Sequence, residues 1–284
     1  MLRFAVVIAA GCASTPPVVA AAPARAPISF TYLGVAGWVI ESGDTIVVAD
    51  PYLTRPDRTK PVASDPAAVA AHAPAHADIV LVGHSHVDHL LDAPAVAIRT
   101  GATLVGSLST IRVGRASGVD EDHLQPVKGG EDLERKGYSI RVIPSLHSEV
   151  GAAYVLGEIR ADVKLPMTVD DYQDGGTLAY LIRLGGHEVV VLDTANFIER
   201  ELAGIHPDIA IIAPRLGDTI HDYTCRLLHV LGDPPIVLPT HFDDWKGAPV
   251  DGPANQLDDF IAEVHRCSPA SRVVVPRHFA RFSP

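Results

Sequence analysis

One stretch of the chain decides its fold: Asp78-Ile79-Val80-Leu81-Val82-Gly83-His84-Ser85-His86-Val87-Asp88-His89. The first half is an apolar run that is typical of a buried β-strand. The second half presents three imidazoles and one carboxylate in the spacing His-x-His-x-Asp-His. Zinc and neighbouring metals prefer imidazole nitrogen and carboxylate oxygen as ligands. Because a loop at the end of a strand is held by a rigid scaffold, the stretch predicts a metal site there.

Three further candidate ligands follow apolar runs later in the chain. His147 comes after Tyr138–Ile143, Asp193 after Glu188–Leu192 and His241 after Ile236–Thr240. Each run has the composition of a strand, so each candidate is expected at a strand end. A loop that is merely rich in histidine would need no such partners elsewhere. The repetition therefore favours one metal centre assembled from several loops.

The motif resembles the metal-binding motif of the metallo-β-lactamase-fold hydrolases, and the resemblance covers nearly all of residues 28–284. Gly34–Glu41 followed by Thr45–Pro51 resembles the opening hairpin of two branches, the ascorbate-6-phosphate-lactonase-like and the N-acylphosphatidylethanolamine-phospholipase-D-like proteins. Pro239-Thr240-His241-Phe242 resembles their final ligand motif. The implied fold class is α/β (α+β), with the four-layer αββα sandwich of that family.

The resemblance also implies how the ligands divide between two divalent metal ions. The first ion would be held by His84, His86 and His147, and the second by Asp88, His89 and His241. Asp193 would bridge both ions. Zinc is favoured, with manganese and iron as alternatives, since donor softness alone does not separate these metals. Asp50 resembles a family residue that supports the ligand loop by hydrogen bonding.

The implied chemistry is hydrolysis by a hydroxide that bridges the two ions. Such ions lower the pKa of water from ~15.7 towards ~7. Asp88 would be catalytic as well as a ligand, because it would orient the nucleophile. We expect cleavage of an ester, lactone or phosphodiester. A β-lactamase-like amide hydrolase, or a metal-binding protein without turnover, are the alternatives.

The residues at two positions disfavour two branches of the family. His86 is an imidazole where the oxygen-reducing diiron branch carries a carboxylate, which disfavours redox iron chemistry. Asp193 is a carboxylate where true β-lactamases carry Cys or Ser, which argues against antibiotic hydrolysis as the main role.

The hydrophobic content and net charge of the chain indicate its domain size and the class of substrate that it binds. The chain has 284 residues, of which 47% are hydrophobic, and this supplies a core for one domain over residues 28–284. Its formal net charge is −11, and phosphate backbones are bound through Lys and Arg. We therefore expect a small-molecule or lipid substrate and no nucleic acid. The sequence does not indicate an oligomeric state.

The N-terminus is typical of an exported protein. Phe4–Ala10 is apolar but shorter than the ~20 residues that span a bilayer. Ala9-Ala10-Gly11-Cys12 is similar to a bacterial lipobox, and residues 13–27 have the composition of a tether. Residues 1–27 are thus expected to be a lipoprotein-like leader, with Cys12 as a membrane tether and a periplasmic or outer-surface location. Ordinary signal cleavage near residues 22–24, or a cytosolic leader, stays open.

Two cysteines, one helix, one segment and the proton donor are the remaining features that the sequence predicts. Cys225 and Cys267 are expected to be buried free thiols rather than a disulfide pair. Ala67–His76 favours a helix. Residues 151–176 are expected to be an insertion that covers the active site. The candidates for the proton donor to the leaving group are His221, Tyr223, Asp243 and Trp245, each of which fits a structural role better than a catalytic one.

Overall fold

The computed structural model describes residues 25–214, 216–247 and 256–284, which form two seven-stranded sheets. The strands of the first sheet are β1 (Ser29–Gly34), β2 (Gly37–Ser42), β3 (Thr45–Ala49), β4 (Ile79–Leu81), β5 (Thr103–Gly106), β6 (Leu124–Pro126) and β14 (Arg281–Phe282). Those of the second are β7 (Asp132–Arg135), β8 (Tyr138–Pro144), β9 (Leu178–Leu184), β10 (His187–Leu192), β11 (Ile209–Ile212), β12 (Ile236–Pro239) and β13 (Arg272–Val273). The spatial orders are β14-β1-β2-β3-β4-β5-β6 and β13-β12-β11-β10-β9-β8-β7.

Helices cover the outer faces of both sheets. The helices from the first half are α1 (Pro66–His72), α2 (Val87–Leu90), α3 (Ala93–Thr100) and α4 (Leu108–Ala116). Those from the second half are α5 (Ala152–Val155), α6 (Glu199–Leu202), α7 (Tyr223–Val230) and α8 (Leu257–Cys267). One apolar cluster lies between the sheets, and two others lie between a sheet and its helices. The expected four-layer αββα sandwich is confirmed.

The strand that precedes the ligand motif shows why its sequence is apolar throughout. In β4, Ile79 and Leu81 join the cluster between the sheets, and Val80 joins the cluster beneath the helices. Side chains alternate along a strand, so a strand buried on both faces has no polar position. The same alternation in β10 places Val189 and Val191 inside and Val190 outside, against α7.

Strand direction brings the predicted ligands to one edge. β8 and β10 both pair antiparallel with β9 and therefore run the same way, and β11 and β12 are parallel to β10. The carboxyl ends of β8, β10 and β12 consequently meet. The end of β4 joins them from the other sheet, since the Gly83 carbonyl accepts from the Leu178 N–H at 2.7 Å.

Turn and breaker residues set the bounds of two elements. The hairpin of β9 and β10 turns at Gly185 and Gly186, whose φ values of 62° and 83° favour glycine. The predicted helix Ala67–His76 ends earlier, at His72. Pro74 is the reason, because the residue before a proline avoids the helical region, and Ala73 is extended with ψ of 146°.

The prediction of free thiols at Cys225 and Cys267 is wrong. The two residues form a disulfide with a Cα–Cα distance of 5.1 Å. Cys225 lies on α7 and Cys267 ends α8, and both helices pack on the same outer face of the second sheet. This packing brings together positions that are 42 residues apart.

Residues 1–24, including Cys12, lie outside the described residues, so the predicted leader and the domain boundary at residue 28 stay predictions. Within the described part of the chain, we find no helix whose length and apolar content would suffice to cross a membrane.

Removing the disulfide is expected to destabilise the protein. Replacement of both Cys225 and Cys267 by alanine should lower the free energy of unfolding by about 4 kcal/mol, the chain-entropy value for a loop of this length. Denaturant titration measures the loss. Reductant should destabilise the wild type and leave the double variant unchanged. Mass spectrometry that finds both thiols free in the oxidised protein would contradict the structure.

Candidate metal centre

Seven side chains meet at the common strand edge, and we call them the His/Asp cluster: His84, His86, Asp88, His89, His147, Asp193 and His241. Their potential ligand atoms form three groups, in each of which the atoms lie within 4.8 Å of one another. The groups are His84 with His86 and His147, His84 with His89 and Asp193, and Asp88 with His89 and His241. The structure therefore brings together every residue that the sequence analysis named as a ligand. We call the first and third of these three groups the outer groups. In the second group, Asp193 lies with one histidine of each outer group, His84 and His89.

The loop after β4 is shaped to admit Asp193. A Cβ atom at Gly83 would lie 2.1 Å from Asp193 Oδ2, so only glycine leaves room for this carboxylate. The chain then turns directly into α2, whose first turn carries Asp88 and His89. His86 stands at the N-cap with an extended backbone. The segment His84–His89 thereby presents four ligand side chains, two from its extended part and two from the first turn of α2.

A left-handed backbone conformation and hydrogen bonds to the first sheet position His241. Its backbone has a φ of 53°, in the left-handed region that non-glycine residues rarely adopt. The His241 N–H donates to the Val35 carbonyl at 2.5 Å. Thr240 beside it accepts from the Trp38 indole N–H at 2.9 Å. The β1–β2 turn and the buried Trp38 therefore fix the last ligand of the motif.

Hydrogen bonds at the ring nitrogens select the tautomers of three histidines. His86 donates through Nε2 to the Tyr154 carbonyl at 2.9 Å, and His147 donates through Nδ1 to the Ser148 carbonyl at 2.8 Å. Nδ1 of His84 lies 2.7 Å from Asp193 Oδ2 and donates to it when that carboxylate is ionised. Each neutral ring then keeps one bare nitrogen, and histidine ligands of metals are oriented in this way.

The position of the bare ring nitrogens shows whether a metal ion fits the cluster. Nε2 of His84 lies 3.2 Å from Nε2 of His147, so with Asp193 ionised and accepting from His84 Nδ1, two lone pairs point at one space. Among the described residues, neither ring nitrogen of His89 nor Nδ1 of His241 has a hydrogen-bond partner. Buried polar atoms without partners are costly and rare in native structures. A divalent cation satisfies this donor set.

Electrostatics favours the protonation states that a metal needs. Burial, reinforced by nearby imidazoles, lowers the pKa of His84 well below its ordinary value and that of His147 to about 4. Both rings are therefore neutral at pH 7. Burial alone would raise the pKa of Asp88, but His89 and His241 outweigh it and lower this pKa. Burial and the nearby Asp50 raise the pKa of Asp193, and a bound cation would reverse that shift.

Asp50 lies behind the cluster, in the position that the hypothesis of loop support requires. Its Oδ1 accepts the Gly83 N–H at 2.8 Å and lies 3.5 Å from His89 Nδ1. Its side chain is buried, which raises the pKa of Asp50 to about 8. The hydrogen bond holds the loop where Asp193 passes it. An effect of Asp50 on metal retention stays a prediction.

A cavity of about 340 Å³ opens above the cluster. Apart from the cluster, it is lined by Arg58, Val87, Ser148, Val150, Tyr154, Val169, Asp170, Tyr172, Thr194, Ala213, Leu216 and Trp245. Four of these residues come from the segment 151–176, which thus forms part of the roof over the cluster, as an insertion there was expected to do. The wall exposes mainly apolar surface, and electrostatic interactions beside such surface are stronger than in bulk water.

The four candidate proton donors are placed differently. Trp245 lines the cavity, and His221 is exposed away from it. Tyr223 is buried and donates to the Ala213 carbonyl. Asp243 is buried and accepts from Tyr32 at 2.7 Å, so it supports the loop of His241 from behind. Sequence reasoning missed Arg58, Ser148, Thr194 and Leu216 in the cavity wall, because no motif marks them.

Comparison with known proteins agrees with this geometry. A family model described as a β-lactamase superfamily domain matches residues 29–241, more than half of the chain. A UPF0173 metal-dependent hydrolase from Pelotomaculum thermopropionicum is 29% identical over 219 residues, which cover 76% of this chain and 84% of the relative. Another, from Methanopyrus kandleri, is 28% identical over 218 residues, covering 75% and 83%.

A solved structure has the same fold. Igni18, a metallo hydrolase from Ignicoccus hospitalis, aligns with a TM-score of 0.61 at 19% identity and covers 90% of this chain and 98% of its own.

Substitution of Asp50 should weaken metal binding while the fold persists. Asp50→Ala removes the acceptor of the Gly83 N–H and is expected to lower metal affinity by about 10- to 100-fold, as for other residues that orient ligands. Asp50→Asn keeps an oxygen acceptor and should lose less. Elemental analysis after dialysis against graded chelator measures the effect. Unchanged metal content and stability in Asp50→Ala would refute the role.

The matched family model, the curated relatives and the arrangement of the His/Asp cluster agree, and the chain therefore belongs to the metallo-β-lactamase superfamily of metal-dependent hydrolases.

Proposed function

We propose that the protein hydrolyses an ester, lactone or phosphodiester with two divalent metal ions. The observation that supports two ions is the division of the cluster into two outer groups, with Asp193 next to one member of each. His84, His86 and His147 would hold one ion, and Asp88, His89 and His241 the other, with Asp193 between them. When bound, the ions supply a water of lowered pKa and stabilise developing negative charge on the substrate.

Asp88 is the group that we assign to orienting the attacking water. Its Oδ2 lies 3.4 Å from His241 Nε2 and 3.9 Å from His89 Nε2, at the floor of the cavity. These imidazoles favour the ionised carboxylate, which accepts a hydrogen bond from water.

The nature of the metal follows from the donors. The cluster offers five imidazoles and two carboxylates and no thiolate, which suits zinc and equally admits manganese or iron. We favour zinc. The complete donor set supports a metal-loaded site, since bare nitrogens in a buried cluster are costly unless a metal is bound, and the turnover assay below separates an enzyme from a metal-binding protein without turnover.

A location outside the cytoplasm is also part of the proposal. The disulfide between Cys225 and Cys267 supports an oxidising compartment, where such bonds persist. Together with the lipobox-like Cys12, it favours a periplasmic or outer-surface protein tethered by its leader. The net charge of −11 supports a substrate other than nucleic acid.

Hydrolysis should depend on metal and on Asp88. Purified protein is assayed with p-nitrophenyl esters, lactones, bis-p-nitrophenyl phosphate and nitrocefin, with and without chelator. We expect chelator to abolish turnover and one of zinc, manganese or iron to restore it. Asp88→Asn should lower kcat by about 100-fold or more.

The control is Asp122→Asn, which removes an exposed carboxylate that does not line the cavity and should leave kcat unchanged. Turnover that persists after complete metal removal would overturn the mechanism. Preferential cleavage of nitrocefin would favour the alternative, a β-lactamase-like amide hydrolase.

A further inference from the structure

One edge of the cavity carries a cation held against an aromatic ring. The Cζ atom of Arg58 lies 4.6 Å from the centre of the Trp245 ring, and both residues line the cavity above the His/Asp cluster. The Nζ atom of Lys246 lies 5.6 Å from the same ring. Trp245 packs against the apolar cluster beneath the first sheet. The ring is therefore a fixed platform with two positive charges beside it.

The guanidinium of Arg58 forms no ion pair with a carboxylate of the described residues. In residues 25–214, 216–247 and 256–284, no carboxylate lies within ion-pair distance of its guanidinium. The adjacent Asp57 instead pairs with Lys60 at 3.1 Å and accepts from the Thr59 N–H at 3.0 Å. A guanidinium held over an aromatic ring has N–H groups that can still donate to an anion.

The loop that carries Arg58 is anchored at its base. Buried Asp92 accepts the N–H groups of Leu53 and Thr54 at 2.7 Å each, and also the Thr54 hydroxyl at 2.7 Å. These bonds fix the chain shortly before Arg58. The guanidinium is thus placed at the cavity by two constraints, the anchored loop and the stacked ring.

The rest of the wall is suited to an apolar group. Val150, Tyr154, Tyr172 and Leu216 line it, and Asp170 is the one acidic side chain outside the His/Asp cluster among the described lining residues. Asp170 would repel an anion, so its position limits where a negative group can lie. In a chain of net charge −11, a positive edge on this cavity is a local exception.

We propose that Arg58, whose guanidinium lies over the Trp245 ring with Lys246 near the same ring, binds an anionic group of the substrate. The substrate class is then an amphipathic anion, with an apolar chain or ring along the cavity wall and a carboxylate or phosphate at Arg58. The reacting bond lies over the His/Asp cluster, so this substrate assignment rests on the proposed hydrolysis. Arg58 is the residue that determines specificity.

A matched pair of esters tests the assignment. p-Nitrophenyl hydrogen glutarate carries a carboxylate where its methyl ester is neutral. The wild type should favour the anionic ester in kcat/KM. Arg58→Gln should lower kcat/KM for the anionic ester by about tenfold and leave the neutral ester within about twofold. The control is Arg99→Gln, which removes an exposed positive charge on α3 outside the cavity and should alter neither value.

A binding measurement separates this inference from the hydrolysis. Trp245 is one of two tryptophans, and the other, Trp38, is fully buried in the core. Hexanesulfonate should change the Trp245 fluorescence of wild-type protein with or without metal, and neutral hexanol should change it much less. The response should be lost in Arg58→Gln and in Trp245→Phe.

The outcomes are distinct. Binding of the sulfonate through Arg58 without turnover of any ester, lactone or phosphodiester would leave the anion site standing and refute the proposed hydrolysis. Equal losses for both esters in Arg58→Gln, or a fluorescence response that persists in that variant, would overturn the anion site.

Discussion

The arrangement of this molecule depends on electron pairs that the fold forces together. Nε2 of His84 and Nε2 of His147 lie 3.2 Å apart while the other nitrogen of each ring is engaged by an oxygen. With Asp193 ionised, these two neutral imidazoles present lone pairs to each other, and the buried carboxylate beside them adds unfavourable charge. A cation converts both costs into favourable interactions, and its binding free energy then contributes to folding.

The two sheets supply the rigidity that this arrangement requires. Strands that run in one direction end together, and two of the strand ends that carry the cluster are secured by residues that do not line the cavity. Asp50 holds Gly83, and Val35 and Trp38 hold the segment of His241. The backbone strain at His241 is sustained by these contacts, as is common where geometry serves a site.

Sequence reasoning predicted the fold and the membership of the cluster because both follow from local patterns. An apolar strand followed by His84–His89 is visible within twelve residues, and His147, Asp193 and His241 each follow their own strand. Pairings between distant, unpatterned residues were not visible. The link between Cys225 and Cys267 depends on how α7 and α8 pack, and the stacking of Arg58 on Trp245 depends on two loops from opposite halves of the chain. Asp243 was expected near the cleft, but Tyr32 holds it behind the site.

The most direct test of this account is anomalous diffraction at the absorption edge of the bound metal, from crystals of the metal-loaded protein. The account predicts two peaks roughly 3.5–4 Å apart, one among His84, His86 and His147 and the other among Asp88, His89 and His241, with Asp193 between them. A single peak, or ions bound away from these side chains, would contradict it.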